Sequence, residues 1–558
     1  MLVGGLLTLG VVVPLAIGLA AGSQDIPRVD DWVYRRVAID LASRGVLSLH
    51  SVTTMLIGQI ILVQPFLKFL GLQPVAFSAF GVVAATAAVL ASYVLARQFL
   101  SARRSALTTA SLLIFPGYMA YATSFMTDVP TLALAMACLA FGVVAVRRRP
   151  VRTKWLVASV AVGCLAFSIR EFAIAAPVAV LLAAICAQPR RATTWSLVVG
   201  VACWCGLLVL LKSALPGQDL GSPAGYVASG LDLSQLVEAI ACVSLPLLPV
   251  LVFAFVRGRE LWRQRDMAVG LELGLVLVAY QLFEWYQTGA LPLVLLPSLA
   301  TQRGVPGPTM LFGTRPLLFG DAAWLLICVL ALISSVLALA VSAGIVGWLI
   351  RRHKNSRRGI LSALGSPPGV LVLFVCLFGG GLAAYGFHWA VYDRYYWPLI
   401  PAAATLVMYV TSDRVSRRSA QSTATRFPVI APVVAAFLAV SLISAIFMLN
   451  SFAFDSARWR AGEALAKLGV APDELDAGYE WVGAHAPTLA DSVKPVPALT
   501  FYEGYFSGYQ ACGVVSSSPW ADPGYELVGT ESYSLDLVGG PTETLYLYRA
   551  TSKDCAAS

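Results

Sequence analysis

Long apolar runs separated by short polar loops dominate the chain from residue 2 to residue 449, and polar positions become frequent only beyond residue 450. Most runs are close to the roughly 20 residues that a helix needs to cross a bilayer core, where its backbone must satisfy its own hydrogen bonds. The pattern predicts spanning helices at 2–21, 73–97, 106–123, 129–146, 155–170, 172–188, 194–214, 235–256, 267–286, 321–350, 369–390, 396–411 and 427–449, about 13 in all. The first run has no basic segment before it and is longer than a signal-peptide core, so it reads as a retained helix.

Three other stretches carry structure of their own. In DDWVYRRVAIDLASRG, Val33, Val37 and Leu41 recur at i, i+4 and i+8, with Arg35, Arg36, Asp40 and Arg44 on other faces. This predicts an amphipathic helix on the membrane surface, with aspartate at its N-cap and Gly45 past its end. The apolar stretch 55–70 is interrupted by Gln59, Gln64 and Pro65 and reads as a second surface-lying or re-entrant helix. In the tail, DSARWRAGEALAKLG predicts a helix starting at Asp455 and Ser456 and stopping at Gly469, and ETLYLYRA alternates like a strand. The expected organisation is a transmembrane unit, 1–449, and a small mixed α/β domain, 450–558, large enough at roughly 100 residues for its own core.

Composition agrees: 58% of residues are hydrophobic and 12% charged, too little charge to cover a soluble protein of this size. The net charge of +9 does not point to nucleic acid, because the basic residues lie in alternate loops. Arg103 and Arg104, Arg147 to Arg149, Arg190 and Arg191, Arg263 and Arg265, Arg351 and Arg352, and Arg417 and Arg418 mark one side; Asp30, Asp31, Asp128, Asp219 and Asp232 mark the other. Basic loops stay inside, which predicts a multi-pass cell-membrane protein with its N-terminus cytoplasmic and its C-terminus extracytoplasmic. Of ten cysteines, eight lie in apolar runs, where packing explains them. Cys512 and Cys555 lie in the outer tail and are expected to pair in an oxidising compartment. No Cys/His spacing suits a metal.

Candidate chemistry gathers at the outer face: Asp30, Asp31, Asp128, Arg170, Glu171, Asp393 and Arg394. Within the spans, Lys212, Glu272 and Glu284 lie near helix ends, where snorkelling explains them. This distribution suits a site at the outer water–lipid boundary better than a mid-membrane transport path. Plainer roles stay open. Asp30 or Asp31 can cap a helix, Asp128 can do so before Val129-Pro130, Arg170 and Glu171 can pair at a tight turn, and Arg394 can anchor an aromatic belt with Tyr392, Tyr395, Tyr396 and Trp397.

Four stretches in this order, VDDWVYRRVAIDLASRG, QPFLKFLG, FPGYMAYATSFMTDVPTLALAMACLAF, and the pair SIREFAIAAP and YDRYYWPLIP, cover most of residues 20–410. They resemble the GT-C glycosyltransferases that take sugar from a polyprenyl-phosphate carrier, such as the protein O-mannosyltransferases and lipid A aminoarabinose transferases. The resemblance implies a GT-C-like helical fold and transfer of a lipid-linked sugar to an acceptor hydroxyl with inversion. The resemblance leaves the acceptor open among protein, lipid and polysaccharide, and implies a polyprenyl-phosphate-linked sugar as donor substrate with no certain cofactor. It also implies catalytic carboxylates among Asp30, Asp31 and Asp128, with Asp30 as general base, Asp31 as the alternative that spacing does not separate from it and Asp128 positioning acceptor or base, and lipid-phosphate contacts among Arg170, Arg394, His50 and Arg35 or Arg36. The chain departs from the pattern at His50-Ser51-Val52, where many relatives have a basic residue and two prolines, and at Val33, where some have arginine. Competing readings are a transporter or flippase of a lipid-linked envelope precursor, which needs essential groups along a path through the bilayer, and a non-catalytic scaffold, which tolerates loss of every outer charge. The topology predicts that a reporter fused at residue 355 reads cytoplasmic and one at residue 555 external; the opposite at either position overturns it.

Overall fold

The computed structural model describes residues 1–49, 54–215, 233–257, 265–289, 300–305, 311–353, 357–386, 391–418, 430–486, 509–535, 540–552 and 555. Among the described residues, nine helices are long and apolar enough to cross a membrane: Leu2–Ala20, Pro74–Arg97, Asp128–Val146, Ala192–Ala214, Leu236–Val256, Met267–Thr288, Asp321–Gly347, Pro367–Tyr385 and Ile430–Lys467. Shorter apolar helices occupy Ile57–Leu70, Thr153–Phe167, Glu171–Ala187 and Leu399–Ser412. Helices thus lie on most of the predicted apolar runs, while among the described residues nine have spanning length and the count of 13 is not confirmed.

The expected span at 106–123 is corrected. A 12-residue helix, Ala102–Leu113, ends before Pro116-Gly117. Proline cannot continue the hydrogen-bond ladder, and Gly117 takes φ +87°. The irregular backbone that follows is buried, so its polar groups need partners. Side chains of the first outer loop supply them: Arg28 donates to Ala120 O at 2.9 Å, Gln24 to Thr123 O at 3.3 Å and Gln59 to Phe125 O at 2.7 Å, while Asp31 accepts from Phe125 N–H at 3.3 Å.

The predicted outer helix forms over Asp31–Arg44, and Gly45 closes it in the left-handed region. Asp30 stands at the N-cap position, yet its side chain makes no capping bond. Trp32, Val33, Tyr34, Val37 and Ala38 are all buried, so this helix is covered rather than laid on a free surface.

The helix Ile57–Leu70 supplies part of the cover, and the tail supplies the rest. The helix expected to begin at Asp455 is instead the end of one 38-residue helix, Ile430–Lys467. At 1.5 Å per residue it is about 57 Å long, far more than the roughly 30 Å bilayer core, so its last turns extend into the second unit. No break falls at the 449/450 boundary. Against those turns packs a four-stranded sheet of order β1-β2-β4-β3, comprising β1 (Leu475–Asp476), β2 (Gly513–Ser516), β3 (Tyr525–Ser534) and β4 (Thr542–Ala550). β1 pairs parallel to β2, and the other pairs are antiparallel. Leu545 and Leu547 of β4, the inward positions of ETLYLYRA, join Phe454, Ala457, Ala461 and Leu465 of the long helix in one core. Cys512 and Cys555 are disulfide-bonded.

A short helix of this domain, Tyr479–His485, docks on the outer helix. Trp32 and Tyr479 meet edge to face at 5.5 Å, and the Arg36 guanidinium donates to Ala486 O. A Cβ on Gly483 would lie 2.2 Å from the Trp32 ring. Gly483→Leu should therefore push the helices apart and cost about 1–3 kcal/mol, as overpacking does. Gly200→Ala, where an added Cβ meets nothing within 4 Å, serves as control. Thermal melting in detergent and limited proteolysis of the tail check this; equal behaviour of the two variants would refute the docking.

Candidate functional site

The site grows from three points where helices begin. Asp30 precedes the outer helix, Asp128 opens Asp128–Val146, and Asp393-Arg394 opens a short 3-10 turn, Asp393–Tyr396, ahead of Leu399–Arg418. Carboxylates at helix N-termini are favoured by the helix dipole. Arg170 ends the short connection after Thr153–Phe167.

Tertiary folding joins them. Arg394 Nη2 lies 2.9 Å from Asp30 Oδ2, and its Nε lies 3.5 Å from Asp128 Oδ2. Arg170 Nη2 lies 3.3 Å from the Asp128 carboxylate, and its Nε donates to Thr127 Oγ1 at 2.7 Å. Both guanidiniums sit near the Tyr395 ring, at 4.6 Å for Arg170 and 5.6 Å for Arg394. The Arg394 and Asp128 side chains are only 4% and 2% exposed, whereas Asp30 is 30% exposed. Asp30 is thus the solvent-reachable end of a buried chain of ion pairs. Burial opposes the Arg394 charge, but Asp128 and Asp30 outweigh it and hold the guanidinium firmly protonated. Burial, then the Asp30 charge, push the nearby Tyr34 phenol up.

The plainer roles do not hold here. Arg394 is buried and paired rather than an interfacial anchor, and Arg170 pairs with Asp128 while Glu171 faces Lys212 at 3.7 Å. Thr127, not Asp128, stands at the N-cap of its helix, and Asp128 is the first helical residue.

Other expected site residues go elsewhere. Asp31 is fully buried and grips Arg35 through two contacts of 2.7 and 2.9 Å. The same Arg35 donates to Asp25 O at 2.9 Å, so neither residue is open to a substrate. The outer helix turns its next arginine, Arg36, toward the tail domain. His50 lies outside the described residues. Asp31 therefore does not join Asp30 and Asp128 in a three-carboxylate cluster, and among the described residues no group of three His, Cys, Asp or Glu side chains is arranged to hold a metal.

Several participants escape sequence reasoning. Tyr479 OH reaches Asp30 Oδ1 at 3.5 Å, from a helix 449 residues away in the chain. Thr127 looks like a mere flank of Asp128. A second buried network joins Arg28, Asp455, Arg458 and Glu480. The i, i+3 spacing of Asp455 and Arg458 was its one visible signal; nothing in the sequence ties Glu480 to the first outer loop.

Asp393 is the remaining titratable group. Its Oδ1 accepts Arg394 N–H at 2.7 Å, and its buried Oδ2 has no hydrogen-bond partner among the described residues. Burial pushes its carboxyl up to about 7, against the lowering effect of Arg394, its N–H and that of Ala300. The folded state thus holds this proton more tightly than the unfolded chain. The resulting stability is full below pH 3.8 and lost as pH rises through about 7. Asp393→Asn, which cannot ionise, should flatten this part of the stability curve in melting experiments across that window; parallel curves for the two proteins would count against it.

The family described as Dolichyl-phosphate-mannose-protein mannosyltransferase matches residues 62–218. No curated protein sequence matches the chain. Among solved structures, ArnT from Cupriavidus metallidurans bound to undecaprenyl phosphate is 13% identical, with 97% of each chain covered and a TM-score of 0.42. AglB from Archaeoglobus fulgidus, an archaeal oligosaccharyltransferase in complex with an inhibitory peptide and a dolichol-phosphate, is 12% identical, with 81% of this chain and 58% of that chain covered and a TM-score of 0.37. At such scores the likeness transfers neither residues nor substrates. Over residues 62–218 of its 558 the chain is thus similar to the mannosyltransferase family.

Proposed function

We propose that the protein transfers a sugar from a polyprenyl-phosphate carrier to an acceptor hydroxyl at the outer face of the cell membrane. The observation that carries this reading is the partly exposed Asp30, held by Arg394 against the buried Asp128–Arg170 pair. The family match supports the donor class. The acceptor oxygen attacks the anomeric carbon and forms the new C–O bond. The bond from that carbon to the phosphate oxygen breaks, and its electron pair leaves with the lipid phosphate. Asp30 takes the hydroxyl proton. One displacement inverts the anomeric centre, and a phosphate leaves without needing a second carboxylate as acid.

Arg394 touches Asp30 and is the cation on the phosphate side; Arg170 supports it through Asp128. Asp128 positions Arg394 rather than acting on the acceptor. Asp31 and Arg35 hold the outer helix and its neighbouring backbone, and Arg36 joins that helix to the tail domain. The localisation of charge outside the spans favours this reading over a lipid transporter.

The test uses purified full-length protein in lipid nanodiscs, a panel of labelled undecaprenyl-phosphate sugars, and a cell-envelope extract as acceptor. Wild type should release undecaprenyl phosphate and transfer label from one donor. Asp30→Asn, which keeps shape but not basicity, should lower transfer about 100-fold or more while leaving the protein folded. Near-normal transfer by Asp30→Asn would remove Asp30 from the chemistry.

A further inference from the structure

The tail domain reaches the site through a closed polar circuit. Glu480 Oε1 accepts the Val29 N–H at 2.8 Å, and Oε2 lies 2.8 Å from Arg458 Nη1. Arg458 also donates to Asp455 Oδ1, from Nε at 3.1 Å and Nη2 at 3.0 Å. Asp455 Oδ2 in turn accepts from Arg28 Nε at 3.2 Å, while Arg28 Nη1 and Nη2 reach Ala120 O and Ser23 O, each at 2.9 Å. Two cations meet two carboxylates, and none of the four side chains is more than 2% exposed.

The circuit grips the two residues just ahead of Asp30. Val29 has φ +54°, a region that a β-branched side chain rarely enters. Such a conformation persists only where the surroundings over-determine it. Here the Glu480 carboxylate holds the Val29 N–H, Arg28 is held on both of its Nη atoms, and the next residue is the partly exposed carboxylate of the site. The residue beside Glu480, Tyr479, touches that carboxylate directly.

We propose that Glu480 is a positioning residue for the transfer reaction, locking the Val29 turn so that Asp30 faces both Arg394 and the acceptor. This rests on the reading of Asp30 as general base. On this view the tail domain completes the catalytic site instead of acting as a spacer. A buried ion-pair circuit adds little net stability over apolar packing, but it fixes geometry; a base displaced by about 1 Å loses on the order of 100-fold in rate.

Two measurements on full-length protein in nanodiscs test it. Hydrogen exchange at the Val29 amide needs no substrate, and kinetics use whichever undecaprenyl-phosphate sugar wild type turns over. Glu480→Ala removes the acceptor; Val29 exchange should quicken about tenfold or more, and kcat should fall about tenfold or more, with the donor KM within about twofold. Glu480→Gln keeps an oxygen for Val29 N–H and should retain both protection and at least about a third of kcat. If Glu480→Ala is not recovered folded, Glu480→Asp, with its shortened carboxylate, takes its place. Unchanged Val29 protection overturns the proposal, as does lost protection with unchanged kcat, or a loss confined to KM. If wild type transfers no sugar, the functional reading fails, and Val29 exchange alone decides whether Glu480 holds the turn.

Discussion

Arg394 is a permanent charge taken almost wholly out of water, and such a charge survives only with partners close by. Its partners come from far away in the chain: Asp30, 364 residues earlier, and Asp128 at the head of another helix. Satisfying this one guanidinium draws together the end of the first outer loop, the start of Asp128–Val146 and the approach to Leu399–Arg418. Arg170 then balances Asp128 from the opposite side. The result is a charge-neutral chain of pairs whose outermost member is a carboxylate that water can reach.

Buried irregular backbone imposes a second constraint. Pro116-Gly117 ends a helix early, and the segment that follows holds only one short helical turn, Tyr118–Tyr121, before irregular backbone. Gln24, Arg28, Asp31 and Gln59 satisfy its carbonyl and amide groups. Many polar residues of the first outer loop therefore have structural employment. Asp31 shows the division most clearly: adjacent to Asp30 in sequence, it faces inward, sealed by Arg35 and Phe125 N–H. Successive residues entering a helix point about 100° apart, so one aspartate turns to the interior and its neighbour toward the rim.

The tail domain belongs to the same assembly. The long helix Ile430–Lys467 carries Asp455 and Arg458 beyond the apolar region, and the helix Tyr479–His485 returns Glu480 and Tyr479 to the first loop. Aromatic packing of Trp32 on Tyr479, and the close approach allowed by Gly483, hold these surfaces together. The proposed base, Asp30, directly follows Val29, whose N–H donates to Glu480 of the tail domain, so the site's geometry is tied to the docking of that domain.

Apolar run length and alternating loop charge were enough to foresee a polytopic helical protein, the outer helix closed at Gly45, and the strand ETLYLYRA, because each depends on local periodicity and on the thickness of a bilayer. The same reading, with its family resemblance, singled out Asp30, Asp128, Arg170 and Arg394, since charges beside apolar helices stand out. It did not foresee the broken helix at Pro116, the uninterrupted helix through Asp455, or the withdrawal of Asp31, Arg35 and Arg36 into structural contacts. Nor could it join Glu480 to Val29. Those outcomes depend on which buried polar groups meet across hundreds of residues, and pairing of that kind is decided by the three-dimensional need to satisfy every buried charge, a condition with no period along the chain.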